Sequence, residues 1–138
     1  MSPSLVDDIS IAQYHAMMGQ EPTLPDTHPT TIRVSRITKR LEQAVNTDER
    51  IPQGVRDRMK WEMKVIEKNI INAFCMPGGK MAIYTGIVDK LALTDDEIAV
   101  IMGHEIAHAL RDHGYQRMKS QMGANAMISL AGAASKSM

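Results

Sequence analysis

Three features of the sequence predict an α+β fold. Apolar residues recur at near-helical spacing over 31–45, they alternate strictly over 80–85, and a capping pattern opens another helical run at Thr94. With 138 residues and 43% hydrophobic side chains, the chain can bury one modest core, and a single domain is expected.

The elements follow in order. After a short amino-terminal helix, EPTLPDTHPT (Glu21 to Thr30) carries three prolines among polar residues, so residues 1–30 read as a helix and a Pro-rich linker. Ile32, Ile37, Leu41 and Val45 then recur among Arg33, Arg36, Lys39 and Arg40, which predicts an amphipathic helix ending near Asn46. Pro52 and Gly54 break the chain. Trp61, Met63 and Val65 alternate with Glu62 and Lys64, and from Ile66 the pattern shifts toward Ile70 and Phe74; this stretch reads as a strand. Met76-Pro77-Gly78-Gly79 suits a tight turn, because proline presets its own φ and glycine accepts a positive one. A hairpin is therefore expected, with Lys80 to Thr85 as its second strand.

Helical character resumes near Gly86. Thr94 with Glu97 three residues on forms a capping-box pattern, and Asp95, Asp96 and Glu97 set negative charge at the positive end of the helix dipole. The run EIAVIMGHEIAHALRDH is apolar all round, so the helix is expected to be buried and to stop at Gly114. The core spans 31–114. Residues 115–138, with Met118, Met122, Ile128 and Leu130 among alanines and glycines, read as a carboxy-terminal helical segment of weak propensity.

Composition excludes several functions. Sixteen basic and sixteen acidic residues cancel and no basic run tracks a polyanion, so nucleic acid is not an expected partner. The amino terminus lacks the pattern of a secretory signal, and the uncharged stretch from Gln121 to Ser135 falls short of the roughly 20 apolar residues of a membrane span, so a soluble chain is expected. Cys75 is the single cysteine and reads as a small buried hydrophobe, Trp61 as a core anchor, and the twelve methionines as core filling. Pro77-Gly78-Gly79-Lys80 lacks the glycine spacing and the hydroxyl residue of a phosphate loop.

The chemistry concentrates on one helix. Histidines four apart lie about 40° apart around a helix axis, so His104 and His108 project side by side and can offer two imidazole nitrogens to one metal ion, zinc by default. Glu105 lies about 60° from His108, beside the metal rather than on it, where its carboxylate can take a proton from zinc-bound water. Peptide hydrolysis is the reaction this arrangement serves. Ile101, Ala107 and Leu110 surround the trio, and a metal would satisfy polar groups in such surroundings. His113 stands about 180° from His104 and reads as a helix-end histidine, Asp112 as a surface residue, and His15 and His28 as exposed residues without a role.

Taken together, IINAFCMPGGKMAIYTGIV (Ile70 to Val88) and LTDDEIAVIMGHEIAHALRDHG resemble the gluzincin zinc metallopeptidase family typified by HtpX, BepA and LoiP, and are most LoiP-like. The resemblance covers roughly residues 31–114. It implies a zincin-like fold, with the active-site helix packed on a small mixed sheet with flanking helices, and one zinc ion per chain. It further implies that Lys80, Met81, Ala82, Ile83 and Tyr84 border the cleft and bind substrate backbone as an added strand, which suits unfolded or damaged polypeptides. Protein quality control in the periplasm or cell envelope, with association to a membrane, comes with the same resemblance. The family's third zinc ligand is a glutamate on a later helix, and no acidic residue follows Asp112. The expectation is a chain truncated after the zinc helix, with impaired peptidase activity. Two alternatives go with it: a noncatalytic peptide-binding, chaperone-like module, and a homo-oligomer in which another copy supplies the ligand.

Overall fold

The computed structural model describes residues 2–111, and the segment 115–138, with Asp112, His113 and Gly114, lies outside them. Helix α1 (Pro3–Met18) starts at Ser2, whose hydroxyl accepts from the Leu5 N–H at 3.3 Å, with Pro3 at the first helical position. Helix α2 (Pro29–Thr47) repeats the device: His28 caps it, Nδ1 accepting from the Thr30 N–H at 3.1 Å, and Pro29 follows. Its inner face is Thr31, Val34, Ile37, Thr38 and Val45. Ile32, expected on that face, is 47% exposed instead, because the buried stripe sits one position round.

Where the sequence shows only a break, Gln53–Asp57 forms the short helix α3. The stretch read as one strand is two. Strand β1 (Glu62–Ile66) leaves the sheet at the exposed Glu67, Lys68 and Asn69, and strand β2 (Ala73–Cys75) re-enters it. The turn Met76–Gly79 closes with the Gly79 N–H donating to the Met76 carbonyl at 3.0 Å, and Gly78 at φ 95° gives it type II geometry after Pro77. Strand β3 (Lys80–Tyr84) completes the expected hairpin, antiparallel to β2 with Phe74 opposite Ala82.

Strand order is β1-β3-β2, with β1 parallel to β3. This arrangement requires residues 67–72 to cross over the carboxyl end of β3. There the Lys68 carbonyl accepts from the Gly86 N–H at 2.9 Å and the Thr85 hydroxyl at 3.1 Å. The backbone of Ile70 lies so close to Gly86 that a β-carbon built there would fall 2.4 Å from both its N and its O. Only glycine allows that approach. Gly86–Lys90 then coils as a π-helical turn.

Strand alternation divides the core in two. On one face Met63, Val65, Ala73, Cys75, Met81 and Ile83 pack against residues of α2 and of helix α4 (Asp95–Leu110). On the other, Ile66, Phe74, Met76, Ala82 and Tyr84 meet Tyr14 of α1, whose hydroxyl donates to the Met81 carbonyl at 2.7 Å. Burial pushes the Tyr14 phenol far above its ordinary value, so it stays a donor. With helices on both faces and a strand on each edge, all five residues of β3 are buried. The expectation that Lys80, Met81, Ala82, Ile83 and Tyr84 take up a substrate strand is overturned, because both hydrogen-bonding edges of β3 are already used.

Helix α4 opens with the expected capping box: the Thr94 N–H donates to Glu97 at 2.9 Å, and the Glu97 N–H to the Thr94 hydroxyl at 3.2 Å. Arg33 of α2 adds a tie, donating to Asp95 at 2.6 Å and to the Leu93 carbonyl at 2.8 Å. The helix is not buried all round. Ile98, Ile101, Met102, Glu105 and Ile106 face inward while Val100 is 71% exposed. It closes at Arg111, short of the expected Gly114, where backbone angles of −92° and 17° leave the helical range. Among the described residues, no helix is long and apolar enough to cross a membrane.

Gly86→Ala should destabilise the chain by about 3 kcal/mol in urea unfolding, at the upper end of overpacking costs, because the added carbon meets backbone that cannot step aside. Gly54→Ala, where no atom lies within 4 Å, is the control and should be neutral or slightly stabilising. Equal effects of the two changes would contradict the crossing-loop account. The Thr94 backbone N–H, and then its hydroxyl, hold the Glu97 carboxyl below its ordinary value. Its stabilising effect is therefore present above the unfolded-state pKa and is lost as pH falls through the folded-state one. The stability gap between wild type and Glu97→Gln should be widest near neutral pH and should close toward pH 3; a gap independent of pH would rule this out.

Candidate active site

Helix α4 lies against β2, and this packing sets the roles of the three motif residues. Glu105 points inward and is fully buried, His104 is exposed, and His108 is half-buried. Apolar surroundings, expected for all three, hold only for Glu105: the imidazoles are reachable from solvent while the carboxylate is shielded from it.

The two histidines converge as their spacing predicts. Their Nε2 atoms stand 2.9 Å apart, with ring centroids at 4.4 Å and planes at 86°. Two nitrogens at the usual zinc distance and a tetrahedral angle would stand roughly 3.4 Å apart. A side-chain adjustment of about half an ångström meets that requirement, so the pair fits a zinc ion. His108 lies in the last turn of α4, where the negative end of the helix dipole favours a cation. Among the described residues, no group of three or more His, Cys, Asp and Glu side chains surrounds a common point.

Cys75 is buried, as the sequence suggested, but its position gives it more than a packing role. It sits on the strand that α4 covers, its thiol donating to the Met76 carbonyl at 3.7 Å. Burial first, and then the nearby charges of Glu105 and Glu42, push its pKa well above the thiol range, so a neutral sulfur lies beside Glu105. Asn72, at the start of the same strand, is buried with its side-chain oxygen making no hydrogen bond to a described residue. A polar residue set before three buried apolar ones was the sequence signal for it. His15 is exposed on α1 against the Tyr14 ring, and His28 caps α2; neither belongs to the site. Lys80 does not face the site either, its ammonium lying 3.3 Å from Glu62 on the far edge of the sheet.

A helix bearing this histidine pair and buried glutamate, packed on a small mixed sheet, is the setting in which the comparisons with known proteins fall. The model of peptidase family M48 matches residues 33–138. The chain belongs to peptidase family M48. Similar members include the mitochondrial metalloendopeptidase OMA1 of Schizosaccharomyces pombe, 34% identical over 80% of this chain and 30% of the relative. OMA1 of Saccharomyces cerevisiae is 34% identical over 68% of this chain and 28% of its own length. The metalloprotease LoiP of Escherichia coli is 34% identical over 46% and 25%, in keeping with the LoiP-like character of the M48 motifs. The chain thus spans less than a third of the length of these relatives.

Proposed function

We propose that this M48 chain carries the zinc-binding and general-base part of a metalloendopeptidase site. The observation that carries the reading is the convergence of His104 and His108 Nε2 atoms at 2.9 Å on a helix whose next residue, Glu105, is wholly buried. His104 and His108 would hold the zinc. Zinc, when bound, supplies Lewis acidity that polarises the scissile carbonyl and lowers the pKa of water.

The chain's own groups do the rest. Glu105 accepts a proton from the attacking water on a carboxylate oxygen and delivers it to the amide nitrogen that leaves. Beside Glu105 the Cys75 thiol, kept neutral, adds no competing negative charge. Substrate would add its backbone along β2, the edge strand beside α4, rather than along the central β3.

Unfolded or damaged polypeptides in the cell envelope are the proposed substrates, since recognition through backbone hydrogen bonds makes little demand on side chains. Association with a membrane or with a second copy belongs to the same proposal.

Glu105→Gln should lower kcat/KM on an unfolded protein substrate by about 10²–10⁴-fold while zinc content stays the same. Unchanged cleavage would remove Glu105 from the mechanism. Retained peptide binding without cleavage in the wild type would favour a noncatalytic binding module.

A further inference from the structure

We propose that α1 is a strap, opening and closing over the back of the sheet as a unit on a hinge at Gly19 and Gln20, while the strands and α4 stay folded. The inner stripe of α1 is polar for a helix that covers a sheet. Val6, Asp7, Ser10 and Tyr14 are the residues it buries, on one face of the helix, and Asp7, Ser10 and Tyr14 carry polar groups. Helix α4 instead buries Ile98, Ile101, Met102 and Ile106 beside Glu105. Met17 and Met18 add partly buried contacts at the far end of α1. An element held by so little apolar burial opens at lower cost than the core beside it.

Polar contacts make the balance close. Two ties hold α1 down: the Tyr14 hydroxyl donates to the Met81 carbonyl at 2.7 Å, and the Arg58 guanidinium donates to the Asp7 carboxylate at 3.0 Å. Each exchanges for water when the helix lifts, so each contributes only the small difference between the two. Ser10 works against closure. It is fully buried and its hydroxyl makes no hydrogen bond to a described residue, so docking strips it of water without replacement.

Beyond the hinge the chain is fastened separately. The Leu24 N–H donates to the Val65 carbonyl at 2.9 Å and the Glu67 N–H to the Pro22 carbonyl at 2.7 Å, and the Leu24 side chain joins the core on the α4 side of the sheet. Residues 22–24 therefore stay on the edge of β1 when α1 lifts, and the exposed Gly19 and Gln20 take up the change. Opening uncovers Ile66, Phe74, Met76, Ala82 and Tyr84. Cys75 and Glu105 lie under α4 on the other face, so the back of β2 becomes accessible with the helix of His104, Glu105 and His108 undisturbed.

The test is native-state hydrogen exchange of the 138-residue chain, read separately for the amides of α1 and of β3. Amides of α1 should exchange about tenfold or more faster than those of β3, relative to their unprotected rates. Tyr14→Phe, which removes one tie, should quicken α1 exchange about fivefold. Ile98→Val, a small core change under the other face, should quicken β3 exchange about fivefold and leave α1 unchanged, because the rest of the chain stays folded when α1 opens. Reaction of Cys75, the single cysteine, with a thiol reagent should respond to Ile98→Val as β3 does. None of these readouts needs zinc or cleavage, so they stand apart from the peptidase reading. Equal protection of α1 and β3, indifference of α1 to Tyr14→Phe, or quickening of α1 in step with β3 in the Ile98→Val chain would each overturn the proposal.

Discussion

The contact between the backbone of Ile70 and the α-carbon of Gly86 is the constraint from which the rest of the arrangement follows. A strand order of β1-β3-β2 demands that the chain after β1 pass over the end of β3, and the passage is possible only where that end carries no side chain. The Lys68 carbonyl then ties the crossing loop to Thr85 and Gly86. Because the loop crosses here, β3 becomes central and β2 becomes an edge. Because β2 is the edge, it is the strand that α4 covers, and Cys75 arrives beside Glu105.

Helix α4 converts that placement into a division of labour. Its inward stripe, Ile98, Ile101, Met102, Glu105 and Ile106, includes one carboxylate among four apolar side chains. The histidines lie to the solvent side of the stripe, one residue before Glu105 and three after it. A single helix can thereby offer two imidazoles to a metal ion and hold a shielded base next to them. The capping box at Thr94 and the Arg33 contacts to Asp95 and Leu93 fix where the helix begins, and hence where its histidines emerge.

What the sequence revealed and what it hid divide along the same line. Local patterns were legible: the cap at Thr94, the tight turn after Met76 and the histidine pair all depend on residues a few positions apart, whereas the Pro-led start of α2 at Pro29 was read as linker. Pairing between distant residues was not legible. Alternation over 61–66 and again over 80–85 marks two strands but says nothing about which is central, so it could not test the cleft position that the family resemblance implied for Lys80 to Tyr84. The Lys80 ammonium turns instead to Glu62. Burial of α4 was overestimated for a related reason. An apolar residue such as Val100 can stand in solvent, and composition alone does not tell which side of a helix meets the sheet.

The most direct test of the account is zinc binding by the 138-residue chain, measured by competition with a chromophoric chelator, with His104→Ala in parallel. The account predicts one zinc per chain, with the affinity lost in the His104→Ala chain. Zinc bound equally by both chains would contradict the assignment of His104 and His108 as the metal-holding pair.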